Sequence, residues 1–442
     1  MTSEILQKNN HGVRSIVIYP HILDDNNLRS PEDNLEEICS LAKAISLEVV
    51  KSEFIKLRKI NPSLFIGKGK GEEYQEFVEE NEIEVVVIDA SLSPVQQRNL
   101  EKILSCKVID RTALILEIFG ERAATKEGKL QVQLAHLTYQ KSRLVRSWTH
   151  LERQRGGRGF MGGPGERQIE SDRRMISEDI VKIKRQLEAV KKTRGLHRST
   201  RAKIPYPIVA LIGYTNAGKS TLFNKLTGAD VYAEDALFAT LDPTMREVVL
   251  PSKRKIILSD TVGFISKLPT ELITSFRATL EEVVDADLIL HIRDITSPDS
   301  NMQKIDVLKV LKDLLDEHTI EGKLYEVHNK IDLLEQDSLN ELNDTPEDGS
   351  PEDDSPEDDI IKISAKTEYN IESLLKKIDD FFDKKDLVIN LELHACEGEK
   401  LAWIYQNGKN VDVKNNGEKI MVSATFTLKK MKVFESIFAP EA

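Results

Sequence analysis

One stretch of eight residues restricts the folds open to this 442-residue chain more than any other: Gly213, Tyr214, Thr215, Asn216, Ala217, Gly218, Lys219 and Ser220. It follows an apolar, strand-like run, Ile208-Val-Ala-Leu-Ile212, and leads into a helical run, Thr221-Leu-Phe-Asn-Lys-Leu226. This is GxxxxGKS in its strand–loop–helix setting. The glycines let consecutive backbone N–H groups point at phosphate oxygens where a helix begins. Lys219 neutralises the β- and γ-phosphates, and the Ser220 hydroxyl is a ligand for magnesium. A motif of this kind works only on an α/β sheet, and the expected fold is therefore a P-loop domain with a mixed, mostly parallel sheet.

Four further boxes follow in the order such a domain requires. Phe238, Ala239, Thr240, Leu241 and Asp242 form a loop-like segment in which Thr240 can bind magnesium only when a third phosphate is present, with Thr244 as the other candidate. An apolar strand, Lys255-Ile-Ile-Leu-Ser-Asp260, ends in Asp260, Thr261, Val262 and Gly263: a carboxylate that holds magnesium through its surroundings, then a glycine whose amide can sense a γ-phosphate. A later strand ends in Asn329, Lys330, Ile331 and Asp332. The Asp332 carboxylate can accept from both N1–H and the exocyclic amine of guanine, whereas adenine would leave it unpaired, which selects guanine. Ser364, Ala365 and Lys366 complete the set, with the Ala365 amide expected to meet the guanine carbonyl. Phe264 occupies the place where many GTPases carry a water-orienting glutamine, so slow intrinsic hydrolysis, completed by a bound partner or by a rearranged loop, is expected and no catalytic side chain is assigned.

Around this domain the chain is uneven. Residues 1–110 alternate short apolar runs with helical patterns and read as a small α/β domain; Gly67-Lys-Gly-Lys-Gly71 within it reads mainly as a tight turn and secondarily as a phosphate cradle. In 111–203, apolar residues at Leu130, Leu134, Leu137, Leu144, Trp148 and Leu151, then at Ile169, Ile176, Ile180, Ile183, Leu187 and Val190, place one stripe on each of two helices. Two narrow stripes joined by a loop read as an antiparallel coiled-coil hairpin of two ~25-residue helices, reaching roughly 35–40 Å. Net charge is −12 for the whole chain, yet 121–203 carries 21 Lys and Arg against 9 acids. The hairpin tip adds Arg153, Arg155, Gly156, Gly157, Arg158, Gly159, Phe160 and Met161. Glycine permits close approach while arginine contacts phosphate and stacks on bases, so RNA is the expected target of these eight residues.

The P-loop domain is assigned to 204–385, and 386–442 reads as a small α+β domain. Residues 343–359 hold three near-copies of a five-residue acidic unit, nine acids and no base, and are expected to be a disordered insertion. Three unpaired cysteines exclude a disulfide framework, and no apolar run is long enough for a membrane helix. A cytoplasmic monomer is expected.

The segments Gly156–Glu166, Gly213–Ser220 and Phe238–Thr244, within a similarity spanning nearly the whole chain, resemble the HflX family of the Obg-HflX group of ribosome-associated GTPases. The resemblance implies GTP/GDP binding and hydrolysis with Mg2+. It also implies docking of the N-terminal part and hairpin on the large ribosomal subunit and its RNA, and splitting of stalled ribosomes. The family's usual apolar residue after the DxxG box is similar to Phe264, and Asn216 matches the P-loop asparagine of relatives that use K+. The alternative is a GTP-dependent signalling or interaction switch whose hairpin binds a protein.

Overall fold

The computed structural model describes residues 12–23, 29–154, 164–201, 206–228, 237–238, 240–241, 244–266, 282–334, 360–394, 396–415, 419–426 and 428–438. The acidic repeat at 343–359 lies outside them. The chain divides into two compact units: residues 1–194 with 208–246 and 258–369, and residues 195–207 with 247–257 and 370–442.

The first unit begins with a four-stranded sheet of β1 (Val13–Ile22), β2 (Leu47–Leu57), β3 (Val85–Ile88) and β4 (Lys107–Asp110), all parallel, in spatial order β2-β1-β3-β4. Between and after the strands run α1 (Pro31–Ala44), α2 (Lys68–Glu80), α3 (Pro94–Leu104) and α4 (Arg111–Arg122). β3 reads Val-Val-Val-Ile and is buried throughout, as a parallel strand covered on both faces must be. Ile38 and Leu41 of α1 share one core with Leu114, Ile115, Ile118 and Phe119 of α4. Tyr74 and Val78 of α2 pack with Leu100 and Leu104 of α3 in another. Helix starts are set locally: Ser30 precedes Pro31 and accepts from the Asp33 amide, while Ser93 and Gln96 form a reciprocal capping box. The edge strand β2 escapes a periodicity search because charged Glu48, Lys51, Glu53 and Lys56 interrupt its apolar residues. Gly67 caps α2, and Lys70 is paired with Glu53 and Glu73, so the Gly67–Gly71 segment is a helix start with its lysines tied to carboxylates.

The expected boundary at residue 110 falls between a helix and its own cap. Asp110 caps α4 by accepting from the Ala113 amide, and α4 buries its apolar face in the core of the first sheet rather than opening the hairpin. The two helices expected to form the hairpin are α5 (Lys126–Gln154) and α6 (Pro164–Arg201), 29 and 38 residues long, or about 44 and 57 Å at 1.5 Å per residue. They exceed the expected length because each continues beyond its apolar stripe, α6 as far as Arg201. Leu130, Ile180 and Ile183 of the stripes are buried while Met175 and Val181 face solvent. The middle of α5 is fixed to the first sheet through Asp110, which accepts from the Tyr139 hydroxyl at 2.9 Å and from Arg143 at 3.0 Å.

A six-stranded sheet follows, built from β5 (Ile208–Gly213), β6 (Thr244–Val249), β7 (Lys255–Asp260), β8 (Leu288–Asp294), β9 (Leu324–Asn329) and β10 (Ile361–Lys362), in spatial order β10-β9-β8-β5-β7-β6. β5, β8, β9 and β10 run parallel. α7 (Lys219–Thr227) leaves the β5 loop, and α8 (Ser300–Lys312) and α9 (Glu317–Glu321) connect β8 to β9. Thr244, the second candidate for sensing a third phosphate, opens β6.

In the second unit, Ser252 and Arg254 in the turn between β6 and β7 are pinned to α10 (Ile371–Lys385). Asp379 of α10 accepts from the Ser252 amide and hydroxyl, and buried Arg254 pairs with Asp379, Asp383 and Asp386. Beyond α10, β11 (Leu387–His394), α11 (Gly398–Asn407), β12 (Lys409–Asn415), β13 (Lys419–Phe426) and α12 (Leu428–Phe438) form an antiparallel sheet of order β11-β13-β12 with its helices. Its core holds Ile404, Val422, Phe426 and Phe434, and partly buried Trp403 packs against it, its ring stacked on Phe426 at 5.7 Å and tilted against Phe434 at 5.3 Å.

A candidate nucleotide site at the ends of the six-stranded sheet

The loop Gly213–Ser220 follows β5 at the middle of the parallel strands, where a doubly wound sheet leaves a crevice for ligands. Gly218 caps α7 with φ +92°, and a Cβ there would lie 2.2 Å from Asn329 Nδ2. No other residue fits without displacing that side chain. Asn216 also adopts a left-handed φ of 60°, which its short polar side chain tolerates, and it is exposed at the rim. Lys219 is buried, its ammonium donating to the Gly213 carbonyl at 3.1 Å and the Tyr214 carbonyl at 2.8 Å. Burial pulls its pKa down to about 8, against the Asp260 charge, which pulls the other way. Carbonyl dipoles are weak compensation for a desolvated ammonium; phosphate oxygens would replace them with full charges.

Three oxygens meet beside Lys219. Ser220 Oγ lies 2.8 Å from Thr240 Oγ1 and donates to Asp260 Oδ2 at 2.7 Å. Asp260 is fully buried, and its other oxygen, Oδ1, has no hydrogen-bond partner among the described residues. Burial pushes its carboxyl up from the ordinary value, opposed by the neighbouring Lys219. Two hydroxyls and a carboxylate with a spare lone-pair face are hard oxygen donors of the type magnesium takes, with phosphate and water completing its six positions. The residues present thus fit the ion, which Ser220 and Thr240 would hold directly, with Asp260 behind them. Among the described residues no group of three or more His, Cys, Asp and Glu side chains could hold a metal by itself.

Past Asp260, the Thr261 hydroxyl donates to the Leu211 carbonyl, and Val262 packs partly buried against the core. Gly263 presses on the P-loop: a Cβ there would sit 2.9 Å from Thr215 Cα and 3.1 Å from Lys219 Nζ. Phe264 then zips onto the loop, its N–H donating to the Gly213 carbonyl and its carbonyl accepting from the Thr215 N–H at 2.7 Å. The Phe264 ring is 3% exposed and turned into the core, away from any place from which it could act on water. The first switch segment is anchored similarly: Phe238, in a left-handed conformation at φ 58°, meets Phe119 of α4 edge-on at 4.7 Å, and Leu241 is buried beside it.

The base box closes the site. Asn329, at the end of β9, donates to the Ala217 carbonyl at 2.9 Å and accepts from the Ala365 amide at 2.9 Å, tying three strand-end loops together. The Ala365 N–H, expected to face a guanine carbonyl, is directed to Asn329 because that buried amide oxygen needs a donor. Ser364 donates to Asp332 Oδ1 at 2.7 Å, leaving the exposed Asp332 carboxylate open on its other side. Ile331 is buried, Lys330 pairs with Asp294 at 2.8 Å, and Lys366 is exposed. Asp294, at the end of β8, escapes a motif search because only the fold brings it to Lys330.

Tyr214 is the surprise among the predicted residues. Its carbonyl faces Lys219, but its 5%-exposed ring points away from the phosphate site, and its hydroxyl meets Glu37 and Arg29 of the first sheet's layer. Nothing local signals a contact across 177 positions. Ala239 and Asp242 lie outside the described residues, as do Arg155, Gly156, Gly157, Arg158, Gly159, Phe160 and Met161; Arg153 is in α5, without a described side chain.

Residues 32–120 match the family described as GTP-binding GTPase N-terminal, 122–201 the GTP-binding GTPase middle region, and 208–330 the 50S ribosome-binding GTPase family. The GTPase HflX of Magnetococcus marinus is 49% identical over 380 residues, covering 86% of this chain and 85% of that protein. That of Escherichia coli is 45% identical over 325 residues, 73% and 74% of the two chains. A GTP-binding protein from Sulfolobus solfataricus, solved with GDP, aligns at a TM-score of 0.44 and 25% identity over 83% of this chain and 98% of that one. With its nucleotide-binding boxes assembled on one sheet and relatives this similar over most of their length, the chain belongs to the HflX family of GTPases.

Proposed function

We propose that this GTPase docks on the large ribosomal subunit through its N-terminal domain and hairpin, and that GTP binding there drives stalled ribosomes apart into subunits. The observation that carries the nucleotide half is the convergence of Ser220, Thr240 and Asp260 beside buried Lys219. Lys219 exchanges its two carbonyl partners for phosphate oxygens, and Gly263, already against the P-loop, turns its amide to the third phosphate. Asp332 accepts from guanine, and Asn329 holds the P-loop and the Ala365 loop in register around the base. Ser220 and Thr240 would hold magnesium, which would supply charge neutralisation to the phosphates. Asn216, exposed at the loop rim, is the residue through which K+ would act, and faster hydrolysis in K+ than in Na+ tests that role.

The ribosomal half is supported by the matched family's description, 50S ribosome-binding GTPase, and by charge. A hairpin bearing the chain's basic excess, with an Arg- and Gly-rich tip at Arg153–Met161, suits RNA phosphates and unstacked bases. The protein acts as a cytoplasmic monomer; among the described residues no helix is long and apolar enough to cross a membrane. Deletion of residues 156–165 tests the docking. GTP and GDP affinity should persist while co-sedimentation with large subunits and subunit splitting are lost. Unchanged splitting by that deletion would contradict the proposal and favour a hairpin that binds a protein.

A further inference from the structure

The second switch segment, Asp260–Ser266, is held at two points: the P-loop backbone at Phe264 and, three residues past Gly263, a buried polar cluster at Ser266. Every polar group of Ser266 is engaged there. Its N–H donates to the Tyr214 hydroxyl at 2.7 Å, its carbonyl accepts from Arg111 at 2.9 Å, and its hydroxyl donates to Glu37 at 2.8 Å. The Tyr214 hydroxyl in turn donates to Glu37 and accepts from Arg29 at 3.1 Å. Glu37 lies on α1 and Arg111 opens α4, so two side chains of the N-terminal domain grip a segment of the GTPase domain. Arg111 is fixed in turn by Asp89 at 2.8 Å. All of Arg29, Arg111 and Ser266 are under 9% exposed, so water does not compete for these bonds.

Phe264 cannot orient water with its ring, so the placement of the Gly263–Phe264 backbone must carry more of the work in this protein than where a glutamine is present. A segment that has to be ordered when the third phosphate binds lowers triphosphate affinity by the fraction of time it is out of place. Pre-ordering removes that loss, and GDP, which has no third phosphate, is indifferent to it. We infer that Glu37, Arg111 and Tyr214 are positioning residues for GTP hydrolysis: by saturating Ser266 they hold Gly263 where its amide meets the γ-phosphate, making the N-terminal domain part of the machinery that distinguishes GTP from GDP. This rests on the assignment of Gly263 as the γ-phosphate contact.

The test uses the full chain and compares wild type with Tyr214→Phe, Glu37→Gln and Gly263→Ala. Fluorescent GDP and a non-hydrolysable GTP analogue report affinity, and single-turnover hydrolysis reports the chemical step. Tyr214→Phe retains the packed ring and removes only the hydroxyl; it should weaken the triphosphate analogue by about tenfold, leave GDP within about twofold, and slow single-turnover hydrolysis by about tenfold, the effect of deleting one hydrogen bond in a charged network. Glu37→Gln should move the same quantities in the same direction. Equal loss for both nucleotides, no change, or faster hydrolysis by Tyr214→Phe each overturns the inference, the last because it would make the cluster a brake. Gly263→Ala separates the two claims: if it spares the preference for triphosphate, the γ-phosphate assignment itself fails; if it abolishes that preference while Tyr214→Phe does not, only the positioning role fails.

Discussion

At the scale of the residue, the site trades solvation for preorganisation, and the trade is measurable. Lys219 is buried with only carbonyls for partners, and its pKa sits near about 8. Bound phosphates restore the charged form, so above pH 8 binding must take up a proton that the free protein has lost. Guanine-nucleotide affinity should therefore be flat below pH 7 and weaken as pH rises through 8 toward 9, with a limiting slope of about tenfold per pH unit. Titration calorimetry in buffers of different ionisation enthalpy would detect that proton; affinity flat to pH 9 would refute the depressed value. Asp332 makes a second residue-level prediction. Asp332→Asn replaces an acceptor of two guanine N–H groups with an amide that presents a donor, so GTP affinity should fall by about 100-fold or more while xanthosine triphosphate, which carries a carbonyl in place of the exocyclic amine, gains. Competition binding with the two triphosphates reads the switch directly.

At the scale of the element, strand ends and helix starts do most of the positioning. The P-loop, the Asp260 box and the Asn329 box were legible because each joins a short motif to an apolar run, and local sequence dictates both. The same holds for α1 and α3, whose Ser-Pro starts are read directly. What stayed hidden is long-range: β2, its apolar residues interrupted by charge, is defined by its pairing with β1, Tyr214 looks like a nucleotide contact until Glu37 and Arg29 claim its hydroxyl, and α4 falls in the segment assigned to the hairpin until its apolar face finds the first sheet. Arg254 belongs to this class as well, because only the fold surrounds it with Asp379, Asp383 and Asp386. Arg254→Ala should cost about 3–5 kcal/mol, since it leaves the nearly buried Asp379 and Asp386 carboxylates without their cation. Thermal or denaturant unfolding of the full chain checks this, and a loss under about 1 kcal/mol would show that water reaches the cluster.

At the scale of the whole molecule, the arrangement is an acidic GTPase carrying one basic arm. The total of −12 conceals a segment at 121–203 with 21 basic residues and 9 acidic ones, and it was the segmental count that pointed to RNA. Tyr139 and Arg143 of α5 are bonded to Asp110, and the next residue, Arg111, holds Ser266 of the second switch, so adjacent positions of one chain segment touch both α5 and the GTPase domain. Phe264 is buried and has no group that orients water, so on the proposed function the docked ribosomal subunit supplies what the isolated site lacks. The most direct measurement is GTP hydrolysis by the purified protein with and without large ribosomal subunits at two salt concentrations. The account predicts a low rate alone, strong stimulation by the subunit, and a steep loss of that stimulation at the higher salt as phosphate contacts are screened. A rate that the subunit leaves unchanged, or stimulation indifferent to salt, would contradict docking of the basic hairpin on ribosomal RNA.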